Sequence, residues 1–214
     1  MKDRQAQAGT GVRKVIAVSN ADTVLIQRCQ ANDAAAFNEI VSRYKNRVFN
    51  YVCRMVGPGS DAEDLTQETF VRAYLNMKSF QSRASLNTWL YRIATNICID
   101  FTRKNKRVKT LTTSLQREDD EDEADVEREI PDDRFNPQNL MLNKELGMRL
   151  DQALRSLPEK LRTVVLLHDI EGLPYEEIAQ IADCPLGTVK SRLFNARAAL
   201  REKLQPYLEG TALL

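Results

Sequence analysis

The sequence predicts an all-α protein of two small helical domains joined by a flexible acidic linker, the second domain containing a helix-turn-helix. Three observations predict it. Apolar residues recur at three- and four-residue spacing through most of 22–107 and again through 140–208, the repeat of amphipathic helices. That periodicity is lost between Val108 and Pro137. No convincing strand pair occurs, and an aromatic content of 7% with eight glycines argues against a β-rich or disordered chain.

The formal net charge is only +1, but its distribution is uneven. From Arg117 to Arg134 eleven acids face three bases, a net of −8, which leaves +9 on the rest of the chain. This is a basic protein with an acidic insert. Blocks of opposite sign often mark different partners, and like-charge blocks are commonly solvated. The insert also carries Pro131 and Pro137 and is assigned as the linker, residues 108–139.

Several classes are excluded. Cys29, Cys53, Cys98 and Cys184 contain no C-x-x-C pair, and the single His168 is distant in sequence from the nearest of them. Neither a zinc site nor a disulfide framework is expected, and the cysteines read as small buried hydrophobes of a reducing compartment. Catalysis would need a clustered His/Cys/Asp set, a metal site or a phosphate-binding glycine loop, and none is present. No enzymatic activity, metal or cofactor is therefore expected. No apolar run reaches the length of a membrane span, and Val15–Val18 is too short for a signal h-region. Residues 1–21 are expected to be a flexible basic tail, 209–214 a short C-terminal tail, and the protein cytoplasmic.

In the first domain, Asp22 and Thr23 are placed to cap a helix carrying Val24, Leu25 and Cys29, broken at Asn32-Asp33. A second helix carries Phe37, Ile40, Tyr44, Val48 and Tyr51 and stops at Gly57-Pro58-Gly59. The third starts at Asp61 with acids in its first turn, favoured by the helix dipole. Its buried stripe is Ala62, Leu65, Thr66, Thr69, Phe70, Ala73 and Met77. Its other side, with Asp64, Gln67, Glu68 and Arg72, is either a solvated face or a protein-docking face. The fourth helix, about Leu86 to Lys104, buries Leu86, Leu90, Ile93, Ile97 and Phe101, while Trp89, Arg92, Asn96 and Arg103 project elsewhere. Basic groups near aromatic and amide side chains suit melted DNA. Core packing of Trp89 and solvation of Asn96 remain the plainer alternatives.

In the second domain, helical pattern returns near Leu140, restarts at Ser156-Leu157-Pro158 and ends at Gly172. Tyr175 to Leu200 then reads as a short helix, a tight turn at Asp183–Gly187 and a longer helix to about Leu204. The longer helix exposes Lys190, Ser191, Arg192, Asn195, Arg197 and Arg201, residue types that reach base edges and phosphates in a major groove. Thr188 and the first-turn N–H groups are placed to hold a phosphate. The alternative is an ordinary helical hairpin with a solvated basic face. The basic character of this helix favours DNA binding.

Three stretches in order resemble extracytoplasmic-function sigma factors of the sigma-E-like type: Asp61–Tyr74, Asn87–Asn96, and Tyr175–Ala179 with Gly187–Arg192. The resemblance implies that residues 22–107 are the region 2 domain, reading the promoter −10 element, and 140–208 the region 4 domain, reading the −35 element. It implies docking of the third helix on the clamp helices of core RNA polymerase through Asp61, Asp64, Gln67, Glu68 and Arg72. It implies contact with −10 DNA by Phe80, Ser82, Arg83, Ser85, Trp89, Asn96, Arg103, Lys104 and Arg107, the Phe80–Ser85 loop and Asn96 holding a flipped base. It implies contact with −35 DNA by Thr188, Lys190, Ser191, Arg192, Phe194, Asn195 and Arg197. It further implies that the linker threads polymerase channels, and that an anti-sigma protein holds the factor inactive, in some cases at the inner membrane face. The free protein is expected to be monomeric. One departure matters: members often carry Arg where this chain has Asn195, and Arg commonly reads guanine whereas Asn pairs bidentately with adenine.

A standalone helix-turn-helix regulator is the competing class. It accounts for 140–208 but gives no role to Asp61–Tyr74, Trp89 or Asn96.

Overall fold

The computed structural model describes residues 20–81, 84–113 and 137–211, which are helices joined by short turns and irregular segments. The first domain contains α1 (Asn20–Gln30), α2 (Ala34–Val56), α3 (Ser60–Asn76) and α4 (Leu86–Thr113), with a 3₁₀ turn at Met77–Ser79 after α3. The second contains α5 (Pro137–Arg155), α6 (Glu159–Val165), α7 (Tyr175–Ile181) and α8 (Leu186–Thr211). Most of the linker and both tails lie outside the described residues.

The helices begin and end where local chemistry directs. Asp33 caps α2, its carboxylate accepting from the N–H groups of Ala35 and Ala36. A hydrogen bond from Arg28 and those two amides hold its pKa below the usual carboxylate range. Gly57 closes α2 at φ 104°, where a side chain would be strained. Asp22 is not the cap expected for α1. The helix starts two residues earlier, and Asp22 is buried, accepting from Tyr44 Oη at 2.7 Å and Arg43 Nη1 at 2.9 Å. Burial and that bond push the Tyr44 phenol upward. α4 runs past its expected end near Lys104 to Thr113, because no Gly or Pro stops it.

The first domain buries the stripe that its spacing marked; in the second, the apolar repeat of α5 is buried at Leu154 but leaves Leu146 and Leu150 exposed. Ile40, Val48, Tyr51 and Val52 of α2 meet Leu65, Phe70 and Ala73 of α3 and Leu90, Ala94 and Ile97 of α4. Thr66 and Thr69 lie in this core because each hydroxyl donates to the carbonyl four residues back. In the second domain Leu154, Val164, Leu167, Ile178, Ile181, Val189 and Leu193 form the core.

The two cores are continuous. α4 packs on α7, and the C-terminal part of α2 packs on α5 and α6. Arg162 sits at this junction. Its guanidinium donates to the carbonyl of Met55 at the end of α2, and to those of Arg155 and Leu157 where α5 ends. One cation thus serves carbonyls that the ends of two helices leave unpaired. Two hydroxyl–carboxyl contacts accompany it: Thr88 donates to Glu177 and Tyr91 to Glu171. Burial, then the neighbouring Glu171, holds the Tyr91 phenol well above its ordinary range, so it remains a donor. Lys106–Glu159 at 2.7 Å and Arg54–Asp151 at 3.7 Å lie at the rim, where ion pairs contribute little.

Replacing Arg162 with Met keeps the aliphatic stem but leaves three carbonyls without that donor. The expected loss is about 2–4 kcal/mol of unfolding free energy, measured by urea denaturation; loss below about 0.5 kcal/mol, the usual scale of surface substitutions, would deny the junction this role. Burial also pushes the Cys53 thiol up to about 11 and the Cys98 thiol up to about 12, so neither is a thiolate near neutral pH. A thiol reagent is expected to reach half-buried Cys29 and Cys184 first, and Cys53 and Cys98 only as the protein unfolds. Equal rates at all four would contradict that packing.

Candidate nucleic-acid and polymerase interfaces

Three outward surfaces hold the residues singled out in the sequence. On α3, Asp61, Asp64 and Gln67 are exposed, and Glu68 pairs with Arg72 one turn on, at 2.5 Å. The sequence reading missed the other half of this face. Val71, Tyr74 and Leu75 are 56%, 55% and 72% exposed. Asp64, Gln67, Val71 and Leu75 follow one another at helical spacing, so the face is acidic and amide-bearing toward the N-terminus and apolar toward the C-terminus. The available signal was the presence of large apolar residues off the buried stripe. Tyr74 is partly anchored, edge-on to Phe37 at 5.0 Å.

On α4 the cap is Ser85, whose hydroxyl accepts from the Thr88 N–H at 3.1 Å and pairs with the Thr88 hydroxyl at 2.7 Å. Its role in this structure is to start the helix. Phe80 is turned inward and buried, its ring 4.8 Å from that of Trp89. The Phe80 carbonyl and that of Met77 accept from Gln30 Nε2, tying the loop to α1. Ser82 and Arg83 lie outside the described residues. Half-buried Trp89 and exposed Arg92, Asn96, Arg103 and Arg107 follow at spacings of three, four, seven and four residues, which places them on one face. Lys104 is exposed beside them. Trp89 takes the plainer of its two readings, packing on Phe80, and its half-exposed edge borders a basic, amide-bearing stripe. The neighbouring flank of α4 carries Thr88 and Tyr91 and is covered by the second domain.

The third surface is the helix-turn-helix. α6 widens into a π turn at Leu166–Ile170 and is ended by Gly172 at φ 70°. His168 is structural: its Nδ1 lies 3.1 Å from the Leu173 carbonyl, and its ring meets Tyr175 edge-on at 4.7 Å. α7 places Glu177 inward toward Thr88. The turn to α8 passes through Asp183 at φ 44°. α8 buries Val189, Leu193 and Ala196 and exposes Lys190, Ser191, Phe194, Asn195 and Arg197, with Thr188 half-buried. Phe194 is 75% exposed. Ser191 donates back to the Thr188 carbonyl at 3.0 Å. Both arginines are held by the protein. Arg192 Nη1 lies 3.4 Å from Cys184 Sγ, and Arg197 grips Asp169 with Nε at 3.0 Å and Nη2 at 2.5 Å.

Among the described residues there is no group of three or more His, Cys, Asp or Glu that could hold a metal, and no helix long and apolar enough to cross a membrane. What the surfaces offer is binding: one mixed acidic and apolar helix face and two basic helix faces, one beside an aromatic ring and one in a helix-turn-helix.

Two family models match the chain, one in each domain. Residues 40–108 match the model of Sigma-70 region 2, and residues 147–200 that of Sigma-70, region 4. The chain is 40% identical over 188 residues to the ECF RNA polymerase sigma-E factors of Escherichia coli K12 and Salmonella typhimurium LT2, covering 87% of this chain and 96% of each relative. It is 40% identical over 193 residues to that of Haemophilus influenzae, covering 87% and 97%. The fold is similar to that of the sigma factor RpoE in complex with the anti-sigma factor NepR from Bartonella quintana, with a TM-score of 0.62, 24% identity, and 79% and 96% of the two chains covered. It is also similar to CnrH in complex with the cytosolic domain of CnrY, with a TM-score of 0.63, 23% identity, and coverage of 87% and 99%. The chain belongs to the extracytoplasmic-function sigma factors. It is a sigma factor that directs promoter-specific transcription initiation by RNA polymerase.

Proposed function

We propose that the three surfaces divide this work. The α3 face docks on core RNA polymerase, the α4 stripe engages −10 DNA, and α8 enters the major groove of the −35 element. Residues 22–107 and 140–208 are the two promoter-reading units, and the acidic linker between them follows polymerase channels. The observation that carries the reading is that all three surfaces point outward together while the inter-domain contacts use other flanks. Arg92, Asn96, Arg103, Lys104 and Arg107 on one domain, and Lys190, Ser191, Phe194 and Asn195 on the other, stay exposed.

No bond-making step falls to this chain. Its cations neutralise phosphates and release counterions, α8 sets the register, and captured bases offset an unstacking cost of a few kcal/mol. The work falls in the cytoplasm, where the promoter DNA and RNA polymerase that it serves are found. An anti-sigma protein is a natural partner, since two proteins of this fold were solved bound to one or to a cytosolic domain of a second chain.

Gel filtration with core RNA polymerase tests the docking. The parent is expected to co-elute, and a Gln67→Ala/Glu68→Lys variant of unchanged helical content is expected not to. Equal co-elution would place docking elsewhere. For the DNA surfaces, replacing Arg103, Lys104 and Arg107 with Gln in holoenzyme is expected to flatten the plot of log affinity against log salt by about 0.7–0.9 for each phosphate that the variant no longer neutralises. An unchanged slope would remove these residues from the DNA path.

A further inference from the structure

We infer that Asn195 is a base-reading residue that makes the −35 element adenine-specific at the position it faces. The inference rests on the proposal that α8 enters the major groove, and it names what that helix selects there. A planar side chain with two hydrogen-bonding ends reads a base edge bidentately: Arg on guanine O6 and N7, Asn or Gln on adenine N6 and N7. α8 carries three planar side chains of this kind in its first four turns: Arg192, Asn195 and Arg197.

The two arginines are engaged with the protein. Arg197 uses Nε and Nη2, one edge of its fork, on both oxygens of Asp169. Arg192 is half-buried on the flank of the helix and bonded to Cys184 Sγ. Asn195 is exposed, and its side-chain amide has no hydrogen-bond partner among the described residues. It lies in one stripe with Thr188, Ser191 and Ala198, at spacings of three, four and three residues, on the side of α8 away from buried Val189, Leu193 and Ala196.

The neighbours fit this reading. Ala198 is small, so nothing long stands between Asn195 and the groove floor one turn on. Phe194, beside it, is the most exposed large apolar residue of the described chain at 75%. An apolar side chain in the groove contacts the thymine methyl, so an A·T-rich step suits the pair. Lys190 stands about 140° round the helix from Asn195 and is placed for a phosphate or another base, not the same one.

The test is selection of randomised DNA duplexes by holoenzyme reconstituted from the full chain and core polymerase, followed by sequencing of the bound pool. The parent is expected to favour adenine at one position of the upstream motif, on the order of tenfold. Asn195→Ala is expected to flatten that position. Asn195→Arg is expected to move it to guanine, with the other positions unchanged. A position-by-position profile identical in all three proteins would overturn the inference while leaving −35 recognition intact, and so would guanine selected by the parent at the position that Asn195→Arg alters. An upstream motif absent even from the parent pool would overturn it together with the −35 reading.

Discussion

The guanidinium of Arg162 is the contact on which the arrangement of the two domains turns. Helix ends leave backbone carbonyls unpaired, and here α2 and α5 end close together. A single planar cation reaches Met55 on one side and Arg155 and Leu157 on the other. Its Nε is buried without a partner among the described residues, so the fork is committed to these carbonyls at some cost. The position follows from sequence order. Pro158 starts α6 directly after α5, so a residue in the first turn of α6 points back at the end of α5. The apolar surfaces of α2, α4, α6 and α7 close over that point into one cluster.

The placement of acids follows from the same junction. Glu159, Glu171 and Glu177 contact Lys106, Tyr91 and Thr88 of the first domain, and Asp169 holds Arg197. From Leu186 to Arg201 α8 contains no acid and four bases. A domain of nearly balanced charge thus presents a cationic stretch of helix, because four of its carboxyl groups are engaged by Lys106, Tyr91, Thr88 and Arg197. The near-neutral total charge of the chain conceals this. Local fields govern nucleic-acid approach, and here they are set by which side of α7 and α8 each charge occupies.

Much of this was legible in the sequence, for definite reasons. The buried stripes of α2, α3 and α4 repeat every three or four residues, and that repeat follows from helix geometry alone. The turn Asp183–Gly187 and the basic run of α8 marked the helix-turn-helix. The inter-domain contacts were not legible, because Thr88, Glu177 and Arg162 are polar residues whose partners lie many positions away and follow no period. Asp22 had the chemistry of a cap, but Tyr44 and Arg43 of the next helix bound it instead. The exposed Val71 and Leu75 gave no periodic signal because they break the polar face without joining the buried stripe. Phe80 shows the converse: a resemblance assigned its loop to DNA, and the structure turns its ring under Trp89, so its influence on a DNA surface would pass through the indole.

The strength of the domain junction follows from its chemistry. Glu177 and Glu171 meet hydroxyl groups at the junction and not cations. A buried carboxyl gains far less from a hydroxyl than from a guanidinium, and its desolvation is correspondingly less well offset. The rim ion pairs are exposed and screened. Apolar contact and Arg162 therefore supply most of the holding energy, while the polar pairs fix which faces meet. An interface so built is specific in register, since each polar contact matches one residue of the first domain to one of the second. The packing of the two domains leaves the stripes of α4 and α8 uncovered. The exposure of Asn195 and Phe194 has the same origin: both side chains lie on the outer side of α8, away from the core that Val189, Leu193 and Ala196 join.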